Sequence, residues 1–528
     1  VTANLAGYEG EAERVSLRAW VAVIGGVFGC FMAGMNVHVT NASLPQIEGS
    51  LGATFDEGSW ITTSYLVAEI IIIPLTAWLV DVFSMRRVLL VGTTGFLIFS
   101  LACSFTLTLN TMILARVLQG AFGGVLIPLS FQLIVTELPS SKHPLGMALF
   151  AIANNVAQAA GPSLGGWLTD SYSWRWIFYL QVPPALVLLA AISWSIGARA
   201  PNLQSLKHGD WWGIAAMAIG LGTLQIVLEE GGRRDWFGSD FIMRMTAISI
   251  AALITFIIIE LRRDRPFINL RLLLRYNFGL ASLMQFLFGA AVFGVVFLVP
   301  NYLAQVHGYS AHQVGMTMIP YGSIQLVMSF LAPVLMRKTS ARMVIAAGFA
   351  IAAAGCFMNV HLDSDSAGNV IVPSLIVRGV GQSLIVVALS SMAVVGLEKS
   401  QVGSASGLFN MVRNLGGAIG TAVIGQIVVE REKLHSERIG DAVSFYDPAT
   451  QERIIEGVRM FAGQHVGRLD ALVGLDVLPY RLQAIASLDG AIRRQAFLMA
   501  YSDAFLAAGM ALALCAVISF ALRSPRPR

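Results

Sequence analysis

Long apolar runs separated by short polar turns make up most of this chain. A helix that crosses a bilayer needs about 20 consecutive, mostly apolar residues. Fourteen such segments are predicted, centred near residues 28, 69, 97, 122, 157, 185, 220, 251, 288, 324, 351, 383, 415 and 508. The runs are continuous rather than alternating, so they predict helices and not the short strands of an outer-membrane barrel. Lipid offers no partner for backbone polar groups, and an all-α polytopic membrane protein is the expected class. Residues 430–495, between the last two spans, are polar and charged. From Glu452 to Arg494 their apolar positions recur in a roughly helical way, which leaves an amphipathic helical excursion and a solvated loop both open.

Composition sharpens this picture. The 528 residues are 56% hydrophobic and 12% charged, half the charged share of about 25% usual in soluble proteins. The net charge of +4 is small, and no basic cluster interleaved with aromatics points to nucleic acid. The four cysteines, Cys30, Cys103, Cys356 and Cys515, each lie in an apolar segment and form no CxxC pair, so they are expected to fill gaps between helices. No short apolar h-region with a small-residue cleavage site opens the chain, so the first span is expected to be retained.

Lys and Arg set the orientation. Arg14, Arg18, Arg86, Arg87, Lys142, Arg199, Lys207, Arg262, Arg263, Arg265, Arg271, Arg275, Arg337, Lys338, Arg342, Lys399, Arg523, Arg526 and Arg528 fall on one side. The short loops opposite hold Arg175, Arg233 and Arg234. Nineteen against three places both termini in the cytoplasm, in agreement with an even number of spans.

The chain also repeats itself. "LPSSKHPLGMALFAIANNVAQAAGPSLGG" (138–166) aligns with "LEKSQVGSASGLFNMVRNLGGAIGTAV" (397–423) at an offset of 259, matching Leu138/Leu397, Ser141/Ser400, Leu149/Leu408, Phe150/Phe409, Asn155/Asn414 and Gly161/Gly420. "RVLQG" (116–120) precedes the first copy as "RGVGQ" (378–382) precedes the second. Equivalent spans are eight apart, as two six-helix halves with two extra spans between them require. The expected divisions are 1–200, 201–265 and 266–528, with a functional site between the halves.

Several polar residues stand inside spans. Glu69, in "SYLVAEIIIIPL", is flanked by isoleucines. An isolated ionised carboxylate cannot rest there, so Glu69 is either a proton-exchanging group or a neutral acid packed for structure. Arg116 sits within span four, where it either lines a cavity and tunes a nearby acid or caps backbone carbonyls. Arg378 and Arg413 occupy mid-span positions in the second half. In "AQAAGPSLGG", Pro162 bends the helix while Gly161, Gly165 and Gly166 admit a close neighbour. Asp81, Arg86 and Arg87 form a cytoplasmic turn after span two, either a conformational latch or a set of solvated charges. Asn36, His38, Asn41, Asn154, Asn155, Gln158 and Asn410 are the further candidates for a cavity wall. No GxxxxGK[ST], HExxH or GxSxG motif and no metal-spaced His/Cys cluster occurs, which argues against ATP drive, a metal cofactor and an enzyme.

Together these motifs resemble the fourteen-span drug:proton antiporters of the major facilitator superfamily, and among them the EmrB-type inner-membrane pumps, from about Phe31 to Phe520. "RVLQGAFGG" resembles the span-four motif, which implies a proton-transfer role for Arg116. "GPSLGG" resembles the antiporter signature of exporters. "WRWIFYLQVPP", "LEEGGRRDWFGS", "HGYSAHQVGMTMIP" and "NMVRNLGGAIGTA" are similar to the same group. The resemblance implies a fold of two six-helix halves plus two extra transmembrane helices. It also implies a tripartite assembly with a periplasmic adaptor (an EmrA-type membrane fusion protein) and an outer-membrane channel. The sequence departs from the family in two places. Ala77 and Ser84 stand where the motif after span two has glycines, and Asn36 stands where the span-one motif has an aspartate, with His38 at its threonine.

The expected function is proton-coupled export of lipophilic or amphiphilic compounds by alternating access. Glu69 is the first candidate for the coupling group, Arg116 tunes it, and His38 either joins the relay or only donates a hydrogen bond. The alternatives are a dedicated exporter of one metabolite, such as a siderophore or aromatic acid, and a non-transporting membrane sensor. Costly buried charges argue against the sensor.

Overall fold

The computed structural model describes residues 15–202, 209–263, 266–363, 365–398, 401–444, 446–466 and 478–522. Arg14, Lys207, Arg265, Lys399, Arg523, Arg526 and Arg528 of the orientation count, and Ser400 of the repeat, lie outside them. The first group of helices is α1 (Leu17–Leu51), α2 (Phe55–Phe83), α3 (Met85–Ser104), α4 (Leu109–Gly123), α5 (Leu126–Glu137), α6 (His143–Ser171), α7 (Trp176–Tyr179) and α8 (Val182–Ser195). A hairpin of α9 (Trp211–Glu230) and α10 (Asp240–Arg262) follows. The last group is α11 (Tyr276–His307), α12 (Ala311–Lys338), α13 (Ala341–Phe357), α14 (Gly368–Ala393), α15 (Val402–Ala442), α16 (Pro448–Val466) and α17 (Leu478–Ile518).

Among the described residues, twelve helical stretches are long and apolar enough to cross a membrane, with α4 and α5 counted as one and α7 and α8 as another. The 29-residue α6, with Asn154, Asn155 and Gln158 in its middle, and the 17-residue α13 fall outside that set. Every one of the fourteen expected centres lies in a helix, so fourteen spans are consistent with the fold. All four cysteines are buried free thiols.

Local signals set the helix ends. Ser16 caps α1, accepting from the Ala19 N–H at 3.2 Å, and Gly52 ends it in the left-handed region at φ 64°. Thr54 and Glu57 then form a reciprocal capping box that starts α2.

Helix packing repeats at an interval of eight spans. The pair α1·α6 recurs as α11·α15, α2·α4 as α12·α14, α3·α4 as α13·α14, and α1·α8 as α11·α17. Between the groups, α2·α15 mirrors α6·α12, and α5·α15 mirrors α6·α14. The repeated glycines explain the closest pairs. A Cβ on Gly161 would strike His38 of α1, and one on Gly420 would strike Ala290 of α11. The repeated Phe150 and Phe409 meet on a shared ring, their centroids 5.9 and 6.1 Å from Phe131.

At the end that carries the α2–α3 turn, the two groups close on each other. Ser406 Oγ of α15 donates to the Pro128 carbonyl of α5 at 2.8 Å, and the Asn269 N–H donates to Ser404 Oγ at 2.9 Å. Gly403 of α15 lies beside Gln132 and Ala77.

The expected loop at 430–495 is helical in the described residues except for the short link around 443–447. No glycine or proline interrupts residues 426–439, and α15 runs past residue 430 to Ala442. α16 follows and packs on the first part of α17, while residues 467–477 lie outside the described set. Asp503 of α17 ties the two long helices together, accepting from Arg431 Nε at 3.0 Å and standing 2.9 Å from His435 Nε2.

The α2–α3 turn keeps the backbone of a glycine without having one. Ser84 adopts φ 76°, ψ 149°, a region that L side chains avoid. Asp81 is exposed, Arg86 donates to the Ser193 carbonyl at 3.0 Å, and Arg87 is exposed. Ser84→Gly is expected to stabilise the protein by about 1 kcal/mol. A rise in the melting temperature of the detergent-purified protein would record it, and an unchanged or lower one would show that Ser84 sits there without strain.

Candidate functional site

A cavity of about 680 Å³ lies between the two groups of helices. That volume is within the range of pockets that hold a drug-sized molecule. The cavity reaches from mid-helix to the end of the bundle that carries the α1–α2 turn, where Pro45, Ser59, Arg233 and Tyr309 line it. The Ser406–Pro128 contact closes the opposite end.

Each wall is a stripe at helical spacing. α1 offers Gly34, Val37, His38 and Asn41, and α2 offers Ser59, Thr62, Leu66 and Glu69. α6 adds Asn154, Gln158 and Pro162, while α9 adds Gln225 and Glu229. The facing wall is mostly apolar, with Phe293, Val296 and Phe297 from α11 and Val314 and Met318 from α12. α15 closes the ring with Arg413, Asn414 and Gly417. The cavity thus offers both polar groups and large apolar side chains, a surface suited to an amphiphile.

Proline adds hydrogen-bond acceptors to this lining. Pro45, Pro74, Pro162 and Pro300 lie inside α1, α2, α6 and α11. Each lacks the N–H that would bond the carbonyl four residues earlier. Those carbonyls belong to Asn41, Ile70, Gln158 and Val296, all of which line the cavity.

Glu69 sits in the middle of α2, is 6% exposed and lines the cavity. Arg116 is fully buried one layer behind. Its Nη1 donates to Asn36 Oδ1 at 2.7 Å and to Gln119 Oε1 at 2.6 Å, and its Nε donates to the Ile61 carbonyl at 3.1 Å. Its guanidinium also lies 4.3 Å from the Tyr65 ring centroid. Tyr65 is one helical turn before Glu69, so Asn36, Arg116, Tyr65 and Glu69 form a continuous path from α1 through α4 to the cavity. Three glycines of "RVLQGAFGG" make the approach possible. A side chain at Gly120 would strike the Tyr65 backbone, one at Gly123 would meet the Tyr65 hydroxyl, and one at Gly124 would come within 2.9 Å of the Glu69 carbonyl.

The second half holds a matching set. The Arg378 guanidinium is 5.9 Å from the Tyr321 ring and 5.7 Å from Phe505. Tyr321 donates its hydroxyl to Gln382, and Gln382 Nε2 donates to Asn155 Oδ1 of the first half at 3.2 Å. Tyr65, Gln119, Tyr321 and Gln382 were not singled out from sequence. Tyr65 falls on the Glu69 face at a spacing of four, and both glutamines are part of the repeated "RVLQG"/"RGVGQ" segments, which were the signals available.

Of the candidates, Glu69, His38, Asn41, Asn154, Gln158, Pro162 and Arg413 line the cavity. Asn36, Asn155, Asn410, Arg378 and Arg116 do not. Asn36 and Asn155 are turned to Arg116 and Gln382, Asn410 Nδ2 donates to the Ser406 carbonyl at 2.9 Å, and Arg378 packs between two rings. Gly161 and Gly165 face α1 at His38 and Val39, and Gly166 is buried. Among the described residues no group of three or more His, Cys, Asp or Glu is placed to hold a metal ion.

Known proteins bear on this site through their sequence and fold. The multidrug export protein EmrB of Haemophilus influenzae is 33% identical over 427 residues, which is 80% of this chain and 82% of that protein. The colistin resistance protein EmrB of Acinetobacter baumannii is 28% identical over 92% of this chain and 95% of its own length. In fold, the human organic anion transporter MFSD10 matches with a TM-score of 0.57 at 14% identity, over 94% of this chain and 99% of that one. The Major Facilitator Superfamily model matches residues 26–421, around the same repeated helix pairs and central cavity, and the chain belongs to that superfamily.

Proposed function

We propose that this transporter exports lipophilic and amphiphilic compounds in exchange for protons, by alternating access, across the inner membrane of a Gram-negative cell. The observation that carries the proposal is Glu69, a carboxylate at mid-membrane depth that lines a cavity walled by both polar and large apolar groups. The EmrB relatives named above are multidrug export and colistin resistance proteins, which favours drugs and other toxic compounds as cargo.

In this proposal the two rocking units are residues 1–200 and 266–528, with 201–265 inserted between them. Both termini are cytoplasmic, so the cavity opens outward and the Ser406–Pro128 contact is the inner seal. Proton entry from outside neutralises Glu69, which releases a substrate held by its charge and lets the halves rock. Arg116 and Tyr65 stand behind Glu69 and stabilise its ionised form after the proton leaves inward. Asn36 cannot hold a proton, and its amide oxygen serves Arg116 instead. His38 lines the same cavity near Gly161, and we assign it a hydrogen-bonding role toward substrate or water. The driving force suffices, since each pH unit supplies about 1.4 kcal/mol per proton and each 100 mV about 2.3 kcal/mol per charge.

The helical extension formed by the end of α15, α16 and the start of α17 is the proposed seat of a periplasmic adaptor, an EmrA-type membrane fusion protein that leads to an outer-membrane channel. Ile455, Met460, Leu482 and Ile485 are exposed there, an apolar surface of the kind a partner covers.

Glu69→Gln is expected to abolish substrate-driven proton movement in proteoliposomes while the protein still inserts and purifies. Normal proton-coupled efflux by that variant would remove the basis of the proposal. Deletion of residues 440–490 is expected to eliminate adaptor pull-down and to leave proton-coupled transport in reconstituted vesicles. Full retention of adaptor binding would place the adaptor elsewhere.

A further inference from the structure

The inserted hairpin is built into the cavity wall. α9 packs on α2, where a Cβ on Gly222 would lie 3.2 Å from Ile71 Cδ1. Beyond the end of α9, Trp236 Nε1 donates to Gln426 Oε1 of α15 at 2.6 Å. The hairpin therefore touches both groups of helices, and its stripe Gln225, Glu229 and Arg233, at a spacing of four, lines the cavity near its mouth.

Two neighbouring carboxylates on α9 have different surroundings. Glu230 is buried against α2, where it accepts from Ser59 Oγ at 2.9 Å and from Thr63 Oγ1 at 3.3 Å, and Arg234 Nε stands 3.5 Å from its other oxygen. Its bonds hold the hairpin to the bundle. Glu229 is turned to the cavity, with Gln225 Nε2 donating to its Oε1 at 3.0 Å. Across the same space Gln158, 4% exposed, lines the cavity with an Oε1 that has no hydrogen-bond partner among the described residues. Pro162 also withholds the helix N–H from the Gln158 carbonyl. The Glu229 carboxylate, Gln158 Oε1 and that carbonyl are all acceptors. Phe293, Val296, Phe297 and Met318 of the same cavity accept an apolar body, and the mid-span cation Arg413 lies on α15.

We propose that Glu229 is a specificity-determining residue that holds the positively charged head of amphiphilic substrates at the cavity mouth, while their apolar body lies on the α11 and α12 wall. The proposal rests on the export function proposed above and adds a role for the inserted hairpin, which supplies the charge that selects cations. Arg233 follows one turn further out on the same stripe. Glu69, deeper on α2, carries the charge that the incoming proton cancels, and Glu229 adds a second carboxylate nearer the mouth. An ammonium or phosphonium head gains a carboxylate in a space shielded from bulk water, where the attraction is much stronger than in solution. A neutral molecule of the same shape gains only the apolar wall.

The test uses purified full-length protein and probes of similar shape: tetraphenylphosphonium as the cation, triphenylphosphine oxide as the neutral probe and tetraphenylborate as the anion. Binding is read by quenching of tryptophan fluorescence. Wild type is expected to bind the cation more tightly than the neutral probe, and Glu229→Gln, which removes the Coulombic attraction, to reduce that cation-to-neutral ratio by about tenfold. Glu229→Asp should restore most of the ratio. Glu230→Gln should weaken both probes by the same factor, because its bonds hold the hairpin in place. An unchanged ratio in Glu229→Gln overturns the proposal, as does a wild type that binds the cation no better than the neutral probe or prefers tetraphenylborate. Failure of the export function has a different sign, the absence of proton-coupled transport of any probe by wild type in proteoliposomes.

Discussion

A charged or hydrogen-bonding side chain cannot face hydrocarbon without a large cost, and this constraint organises the molecule. Glu69, Arg116, Arg378 and Arg413 all lie within membrane-spanning helices, and all are buried between helices. Arg116 meets the requirement with two amide oxygens, a backbone carbonyl and the face of a tyrosine. Once it is held there, the ring of Tyr65 fixes one face of α2, and Glu69, one turn on, must open toward the centre. The cavity is where the remaining polar groups face one another.

Close helix packing supports that arrangement. Small residues on α4, α6, α11 and α15 bring backbones together where dispersion is the main attraction available in lipid. The same device is used twice, once in each half, because the helix pairs of one half recur in the other and Gly161 of α6 recurs as Gly420 of α15. Tyr65 beside Arg116 and Tyr321 beside Arg378 repeat the same Arg–Tyr contact in equivalent helices, α2 with α4 and α12 with α14. They serve different ends, since the first pair backs a carboxylate in the cavity and the second reaches through Gln382 to Asn155 across the interface between halves.

The spans, the repeat and the glycine-rich contacts were legible in the sequence, because each depends on apolar length or on local spacing. Glu69 stood out for the same reason, as a charge inside an unbroken apolar run. Which polar residues face the cavity was not legible in full. Asn36 and Asn41 are close in sequence, yet the first is turned to Arg116 and the second lines the space, and only the crossing of α1 with α4 decides between them. Glu229 and Glu230 are harder still, because adjacent positions differ by where α9 meets α2. The extent of α15 beyond residue 430 was missed for another reason. Polarity ends only the contact with lipid, and without a glycine or proline over residues 426–439 the helix itself continues.

That continuity has a mechanical consequence. Arg413 lines the cavity, and the same unbroken helix ends at Ala442, about 44 Å further along at 1.5 Å per residue. A tilt of about 5° pivoting at Arg413 would carry Ala442 sideways by about 4 Å, the leverage of a rigid rod of that length. α17 runs beside it, joined through Asp503, so the two would swing as a pair. A small adjustment at the cavity would then arrive at the far tip of the molecule as a displacement comparable to a turn of helix.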